Sequence, residues 1–342
     1  MNTRIEQPGT EAARGADVLV RRALRLLPGD RVDVLHHDSA VVEGLVRAAA
    51  ARAGVRVEVH DLGPLVHETS AVRLRSTLRG LLQGATASVL LARGGLPQGV
   101  SVAVVRAAGE LRTRHVHMPN VDPRALGSSV RADPDTLGAI NARLVDRLGA
   151  GATVHVTSDA GTDLTVKLGP PYPLVADHGC PEPGKWDNLP AGFVYAHPLD
   201  VHGTLVADRI AHGSTVSRLG PSLRRKPLRV TVEGSRVVAS TSDDDELHRA
   251  FEAYRASHVH APRVGFVSIP TNPLARLEIG NLAHDGLLPG MRVFLGFSDS
   301  EATLAPFDLD HGFRLTGRGQ TVRVGEEVVV ESGRLTPALL QD

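Results

Sequence analysis

The chain has 342 residues, of which 42% are hydrophobic and 22% charged, so it can bury a core and is not a disordered or low-complexity protein. Lys plus Arg and Asp plus Glu both number 38, and the resulting zero net charge excludes a strong field for nucleic acid or an anionic membrane. The single cysteine, Cys180, cannot form an internal disulfide, and Met1–Thr10 lack the apolar stretch of a signal peptide. We therefore expect a cytoplasmic protein of about two domains with no nucleic-acid or membrane partner.

The first 150 residues alternate short Val/Leu runs with helix-sized Ala/Arg/Leu stretches. Strands are predicted at Arg31–Leu35, Val55–His60, Thr86–Leu91 and Arg114–Met118. Strands that are connected through helices lie parallel. The pattern predicts an open, doubly wound parallel sheet as an α/β domain over residues 1–150. Neither GxGxxG nor a P-loop follows any of these strands, so a nucleotide site is not expected.

The sequence pattern changes after residue 150, and a second, mainly β domain is predicted over residues 151–342. Pro170–Pro190 is rich in proline and glycine and predicts a loop. One clear helix follows, with Ser242 and Asp245 as a capping box and an apolar face of Leu247, Ala250, Phe251 and Tyr254. The predicted strands are Thr153–Thr157, Asp163–Leu168, Leu228–Val232, Arg236–Ser240, Val264–Ile269, Met291–Phe297 and Val322–Val330.

Common catalytic motifs are absent from the sequence. It has no HExxH helix of a zinc protease and no GxSxG elbow of a serine hydrolase. His115 and His117 have the spacing that places two side chains on one face of a strand, and such a pair can ligate a metal. Without a third ligand nearby in the sequence, core or surface histidines are the simpler interpretation.

Several short sequence motifs in the second half of the chain follow one another in a characteristic order. They are Asn188-Leu-Pro-Ala-Gly192, Gly203-Thr204, Thr271-Asn-Pro273, Gly280-Asn281 and a closing pattern from Asp310 to Glu331. In these strings the chain resembles the aminopeptidase T family of metallopeptidases, and the dihydroxypyridine dioxygenases are similar in fold. The resemblance covers about residues 185–335 and implies an α/β domain followed by a mainly β, aminopeptidase T-like domain that carries the cavity.

The resemblance also implies metal ligands, and this sequence departs from them. The family binds two metals in the peptidases, through glutamates, a histidine and a His-x-Asp pair, or one iron in the dioxygenases. Phe193 and Phe266 stand where the family has glutamates, Val293 lies near the family histidine, and Asp308-Leu-Asp310 replaces the His-x-Asp pair. We interpret the chain as a divergent member that lacks most metal ligands, and we expect no cofactor.

Two phenylalanines in place of carboxylates make a cavity apolar and favour a hydrophobic or aromatic ligand. A remaining carboxylate in such a wall can serve as a general acid or base. The predicted catalytic residues are Asp310 as acid or base, Asp308 and His311 as its modulators, and His197 and His202 as proton carriers. The predicted substrate-binding residues are Trp186, Asn188, Phe193, Phe266, Asn272, Asn281 and His284.

The resulting functional hypothesis is a homodimeric enzyme of specialised, natural-product metabolism that hydrolyses or cyclises an amide in a small peptide or peptide-derived compound, without a metal. Two alternatives remain open. One is a metal-dependent aminopeptidase or ring-cleaving dioxygenase in which Asp308, Asp310 and His311 hold one Fe, Zn, Co or Mn ion. The other is a non-catalytic homologue that binds a peptide or a partner enzyme of the same pathway.

Overall fold

The computed structural model describes residues 8–94 and 96–341. The prediction made for Met1–Thr10 falls mostly outside these residues. The described chain divides into two compact units, one from its start to Leu137 with Asp177–Ala191, the other Gly138–Ala176 with the residues from Gly192 onward. The boundary predicted after residue 150 stays a prediction. The compact units differ from it because the segment 177–191 adds a strand to the sheet of the first unit.

The first unit contains the predicted parallel sheet, with strand order β2-β1-β3-β4-β8. Its strands are β1 (Arg31–His37), β2 (Arg56–Asp61), β3 (Ala87–Ala92), β4 (Arg114–Pro119) and β8 (Trp186–Asn188). Its helices are α1 (Pro8–Val18), α2 (Ala40–Arg52), α3 (Ala71–Leu82), α4 (Gln98–Glu110) and α5 (Pro123–Leu126), and α6 (Pro134–Leu148) leads into the second unit. A π-helical turn (Leu19–Ala23) and two 3-10 turns (Gly63–Leu65, Ser129–Arg131) complete the list.

The central strand β3 is buried along its whole length, which explains why Ser88 is its one polar residue. On one side of the sheet, α3 and α4 supply regularly spaced leucines and valines to a core with Leu35 and Leu90. β1 pairs in parallel with both β2 and β3, and this register sets the positions of the polar side chains that the strands carry.

The second unit consists mainly of two antiparallel sheets, with strand orders β14-β13-β10-β6-β5-β18-β19-β20 and β12-β11-β17-β16-β15-β9-β7. The strands are β5 (Thr153–Thr157), β6 (Asp163–Lys167), β7 (Val175–Asp177), β9 (Phe193–Ala196), β10 (Asp200–Ala207), β11 (Ile210–His212), β12 (Ser217–Leu219), β13 (Leu228–Glu233), β14 (Arg236–Thr241), β15 (Val264–Pro270), β16 (Arg292–Leu295), β17 (Phe313–Thr316), β18 (Thr321–Val324), β19 (Glu327–Glu331) and β20 (Arg334–Leu335). The helices are α7 (Pro221–Arg225), α8 (Asp245–Ser257), α9 (Leu282–Asp285), α10 (Ser300–Thr303) and α11 (Pro337–Leu340). The predicted fold class, a parallel α/β sheet followed by a mainly β region, is confirmed.

Three local predictions for the chain after residue 150 are wrong. The Ser242–Asp245 capping box does not form, because Asp244 is the N-cap and accepts from the Leu247 amide at 3.0 Å. The single strand predicted over Val322–Val330 is a hairpin, β18 and β19, that turns at Gly325 with φ +56°. The loop predicted over Pro170–Pro190 contains the short strands β7 and β8.

In residues 8–94 and 96–341, no helix combines the length and the apolar composition needed to cross a membrane.

Candidate functional site

The seven-stranded sheet of the second unit has two chemically different faces. Side chains alternate along its strands, and residues directly opposite each other share a face. One face packs into the main core of the unit through Val194, Ala196, Val267, Val293 and Leu315. The other carries rings, arginines and a serine, namely Phe193, Tyr195, Phe266, Ser268, Arg292, Phe294 and Arg314. We call this second set the aromatic face.

The rings of the aromatic face form a connected row. Phe266 and Phe294 are stacked, with ring centroids 4.2 Å apart and planes 20° apart. Tyr195 lies 5.2 Å from Phe266 and 5.7 Å from Phe193, both in tilted arrangements. These separations lie in the range of favourable aromatic pairs. Phe193 and Phe266 are buried, whereas Tyr195 and Phe294 are partly exposed, so part of the row is accessible.

Two arginines lie against these rings. The Arg292 guanidinium sits 4.2 Å from the centre of the Phe193 ring and donates from Nε and Nη2 to the Ser268 hydroxyl, at 2.8 and 2.6 Å. The Arg314 guanidinium lies 5.9 Å from the Phe294 ring and donates to the Leu282 carbonyl at 3.4 Å. The buried Nε of Arg314 has no hydrogen-bond partner among the described atoms.

Burial affects the titration of this cationic region. It lowers the pKa of Arg314 to about 10, which still leaves the guanidinium charged at neutral pH. Burial, with the nearby Arg314 charge as a second cause, lowers the pKa of His212 to about 4 and keeps that imidazole neutral. The aromatic face therefore combines π surface with a fixed positive charge, which suits a planar anion.

An acid that the sequence analysis missed adjoins this face. The Tyr195 hydroxyl donates to Asp299 at 2.7 Å. Burial raises the pKa of Asp299, and the hydrogen bond from Tyr195 partly opposes that rise. Asp299 has φ +51°, an uncommon conformation for this residue type, at the N-cap of α10. Only the tertiary fold brings it to Tyr195, so no motif could have identified it.

The predicted catalytic histidines lie apart from each other. His197 is buried between Tyr172 and Phe307, and its Nδ1 donates to the Gly265 carbonyl at 2.6 Å. Burial lowers its pKa, so it is neutral at physiological pH. His202 is exposed on β10 of the other sheet and pairs with Asp200 at 2.8 Å.

The predicted catalytic carboxylates are exposed. Asp308 accepts hydrogen bonds from the amides of Ser298, Ser300 and Leu309, so it organises the loop around α10. Asp310 and His311 are exposed, and His311 lies edge-on to a tyrosine ring. The catalytic roles predicted for them stay predictions.

Of the predicted substrate-binding residues, the structure brings Phe193 and Phe266 together on the aromatic face. Trp186 and Asn188 lie on β8 of the first unit. The other three shape local backbone: Asn272 accepts from the Leu274 amide, Asn281 caps α9, and His284 donates to the Leu277 carbonyl.

The described residues contain one group of three potential metal donors. Asp33, Glu58 and His60 offer donor atoms that all lie within 4.8 Å of one another. Asp308, Asp310 and His311 are not such a group. Phe193 and Phe266 have no donor atoms, and the described residues of the aromatic face include no group of three metal donors, so a metal does not fit this face.

One family model and one curated protein match parts of the chain. Residues 131–256 match the family model described as NicX, 2,5-dihydroxypyridine 5,6-dioxygenase. The 2,5-dihydroxypyridine 5,6-dioxygenase of Pseudomonas putida is 44% identical over 59 residues, which is 16% of this chain and 17% of that protein. The matched stretch thus spans less than a fifth of the curated relative.

Two solved structures match nearly the whole chain. The 2,5-dihydroxypyridine dioxygenase of Pseudomonas putida superposes with a TM-score of 0.69 at 18% identity, covering 97% of this chain and 98% of that one. AmpT from Thermus thermophilus superposes with a TM-score of 0.62 at 16% identity, covering 95% and 99%. The predicted aminopeptidase T-like fold, shared with a dihydroxypyridine dioxygenase, is confirmed.

The expectation of no cofactor is wrong. It depended on the missing ligands of the second half, whereas the chain has a three-donor group in the first. The similarity to a dioxygenase in sequence and in fold also contradicts it, because the resemblance implies iron in that enzyme class. Asp33, Glu58 and His60 meet through the pairing of β1 with β2, and no spacing within the sequence reveals that meeting.

Proposed function

We propose that this protein is an enzyme that binds a hydroxylated, anionic aromatic heterocycle on its aromatic face, and that it is a ring-cleaving dioxygenase of the dihydroxypyridine type. The stacked Phe266–Phe294 pair, with Arg292 and Arg314 both within 6 Å of the Phe294 ring centre, is the observation that supports this most. The sequence match and the fold similarity to 2,5-dihydroxypyridine dioxygenases support the same substrate class.

The rings determine the shape of the ligand. Phe294 and Tyr195 are partly exposed, so a planar molecule can stack on or against them. Each aromatic contact contributes roughly 0.5–1.5 kcal/mol beyond area burial. A flexible aliphatic peptide gains little from such a surface, which favours an aromatic ring over the amide substrate expected from the sequence.

The arginines determine the charge of the ligand. Arg314 has an unpaired Nε and stays protonated, so an oxyanion on a bound ring can accept from it. Hydrogen bonds from guanidinium to an oxyanion are charge-assisted and stronger than neutral ones. A hydroxypyridine ring that ionises at oxygen meets both the π surface and the cation.

Asp299 and Tyr195 supply a proton site beside the rings. Burial raises the pKa of Asp299, which makes this carboxyl better able to hold a proton than an exposed one. Tyr195 connects it to the aromatic face by a 2.7 Å hydrogen bond. The aromatic face has no metal-ligand set of its own, so we derive no ring-opening step through a metal there.

The test uses 2,5-dihydroxypyridine as the probe. Binding is measured anaerobically by calorimetry, and turnover is measured as oxygen uptake together with loss of the ring absorbance after loading with Fe²⁺. We expect the wild type to bind the probe. Phe294→Leu and Arg314→Gln should each weaken binding about tenfold, because the loss of one stacking or charge contact costs roughly 1–2 kcal/mol.

Arg323→Gln is the matched control, because Arg323 is exposed on β18 of the other sheet. It should bind the probe as the wild type does. Equal affinity of all four proteins, or hydrolysis of small peptides with no binding of the pyridine, would overturn the proposal.

A further inference from the structure

The parallel pairing of β1 and β2 brings three metal-binding side chains together in the first unit. Asp33 on β1 lies directly opposite Glu58 on β2. His60 follows Glu58 by two residues, so both point to the same side of the sheet. One donor atom from each of the three lies within 4.8 Å of the others.

The two inner donors face each other without hydrogen-bond partners. Asp33 has no solvent exposure, and its Oδ1 lacks a partner among the described atoms. The Nε2 of His60 is buried and also lacks one, and the two atoms are 3.7 Å apart. Leaving a buried polar atom unsatisfied costs roughly 1–3 kcal/mol. Two buried donor atoms at this separation can both bind one metal ion, which would satisfy each of them.

We propose that Asp33, Glu58 and His60 form a binding site for one divalent transition-metal ion. Zinc-to-nitrogen and zinc-to-oxygen distances near 2.1 Å at a tetrahedral angle place two ligand atoms about 3.4 Å apart. The observed 3.7 Å between Asp33 Oδ1 and His60 Nε2 needs only a small adjustment to meet this value. One imidazole with two carboxylates suits Zn²⁺, Mn²⁺ or Fe²⁺ better than Ca²⁺ or Mg²⁺, which take all-oxygen sets.

Arg31 pairs with both carboxylates of the site, and its Nη1 lies 3.6 Å from Glu58 Oε1. Its Nη2 donates to Asp33 Oδ2 and to the Gln83 carbonyl, both at 2.8 Å. The second oxygen of the carboxylate is thereby fixed, and Oδ1 is left for a metal. Hydrogen bonds of this kind orient metal-binding carboxylates. The guanidinium also offsets one of the two carboxylate charges.

The third donor leaves the site open to solvent. The Glu58 side chain is 53% exposed, so a loaded ion keeps at least one position for water or another small ligand. Three protein donors with an open position are the pattern of reactive metal sites, whereas structural zinc sites have four protein ligands. The proposed site goes beyond the proposed function and does not depend on it.

The test is binding of zinc and manganese to protein stripped with a chelator, followed by calorimetry and thermal unfolding. We expect one Zn²⁺ per chain, a rise in melting temperature of at least about 2 °C at saturating zinc, and no such effect of Mg²⁺. Asp33→Asn and His60→Asn should each weaken zinc binding at least tenfold. Glu58→Gln, at an exposed position that should not affect folding, should weaken it by a smaller factor.

His155→Asn is the matched control, because His155 pairs with Asp163 at 2.7 Å in the second unit and belongs to no three-donor group of the described residues. It should bind zinc as the wild type does. The inference is wrong if the wild type binds no stoichiometric zinc, or if Glu58→Gln and a folded His60→Asn bind it as tightly as the control. No substrate is used, so failure here leaves the aromatic-ligand proposal untouched.

Discussion

A single buried imidazole makes the stability of the first unit depend on pH. His115 has no solvent exposure, and its Nδ1 lies 2.9 Å from the Ser88 hydroxyl. Burial, with His117 as a second cause, lowers the pKa of His115 from 6.5 to about 3. The unfolded chain therefore takes up a proton between pH 6.5 and 3 that the folded chain does not. The contribution of His115 to stability is complete above pH 7 and declines as the pH falls through this range.

We expect the free energy of unfolding to lose about 1.4 kcal/mol from His115 alone between pH 7.5 and pH 5.5. His115→Gln keeps a hydrogen-bonding group near Ser88 but cannot titrate, so its profile should be flatter by that amount. Urea unfolding at the two pH values measures the difference. The control is His258→Gln, because His258 is exposed. An unchanged slope in His115→Gln would contradict the prediction.

The Tyr195–Asp299 pair allows a second prediction for a single residue. The Tyr195 hydrogen bond lowers the pKa of Asp299 against the effect of burial. Tyr195→Phe removes that bond and should raise the pKa of Asp299 further. A pH titration of carboxyl carbon-13 shifts measures this, with Asp299→Asn identifying the signal. A fall in the pKa, or no change, would mean that the hydroxyl does not interact with Asp299 in solution.

Site residues next to a recognisable sequence motif could be predicted, whereas residues that come together only through the register of two paired strands could not. Phe193 follows Asn188-Leu-Pro-Ala-Gly192 directly, so its place in an apolar wall could be inferred from the sequence. Arg292 meets Ser268 because β15 and β16 pair antiparallel in one particular register. Asp33 meets Glu58 for the same kind of reason. A one-residue slip would separate both pairs, and nothing local in the sequence specifies that register.

At the scale of elements, the strands β1 to β4 of the first unit could be predicted from the sequence, whereas β8 and the eight-residue β10 were not. The four strands predicted for the first unit lie within one or two residues of β1, β2, β3 and β4, because each is a short segment of alternating or continuous apolar residues between turn residues. Trp186–Asn188 pairs with β4 over three residues, too few for a periodic pattern. Its strand conformation comes from the partner strand, not from local preference.

Two helical glycines of the first unit should respond oppositely to alanine. A Cβ on Gly15 of α1 would lie 1.8 Å from the Leu126 carbonyl oxygen, so Gly15 lets α1 approach α5 closely. A Cβ on Gly44 of α2 would meet nothing within 4 Å. Gly44→Ala should raise the free energy of unfolding by about 0.5–1 kcal/mol through helix propensity.

Gly15→Ala should lower the same quantity by about 1–3 kcal/mol, since backbone must move to admit the methyl group. Chemical denaturation of both variants beside the wild type tests the pair, each serving as the other's control. Stabilisation by both substitutions would mean that α1 and α5 are not packed this closely.

At the scale of the whole molecule, the two proposed ligands belong to different compact units. The metal donors lie on β1 and β2 of the first unit, and the aromatic face lies on β9, β15, β16 and β17 of the second. A ligand that binds only the folded state protects the elements it contacts from local unfolding. Zinc and 2,5-dihydroxypyridine should therefore slow hydrogen exchange in different peptides.

Hydrogen exchange read by mass spectrometry distinguishes the possible arrangements, because each ligand can be added alone. Zinc should protect peptides containing Arg31–His37 and Arg56–Asp61, and His60→Asn should abolish that protection. The pyridine should protect peptides containing Val264–Pro270 and Arg292–Leu295, and Arg314→Gln should reduce that protection. Zinc protection of β15 and β16 instead would place the metal at the aromatic face and overturn the site on β1 and β2. Pyridine protection confined to the first unit would overturn the aromatic face as the substrate site.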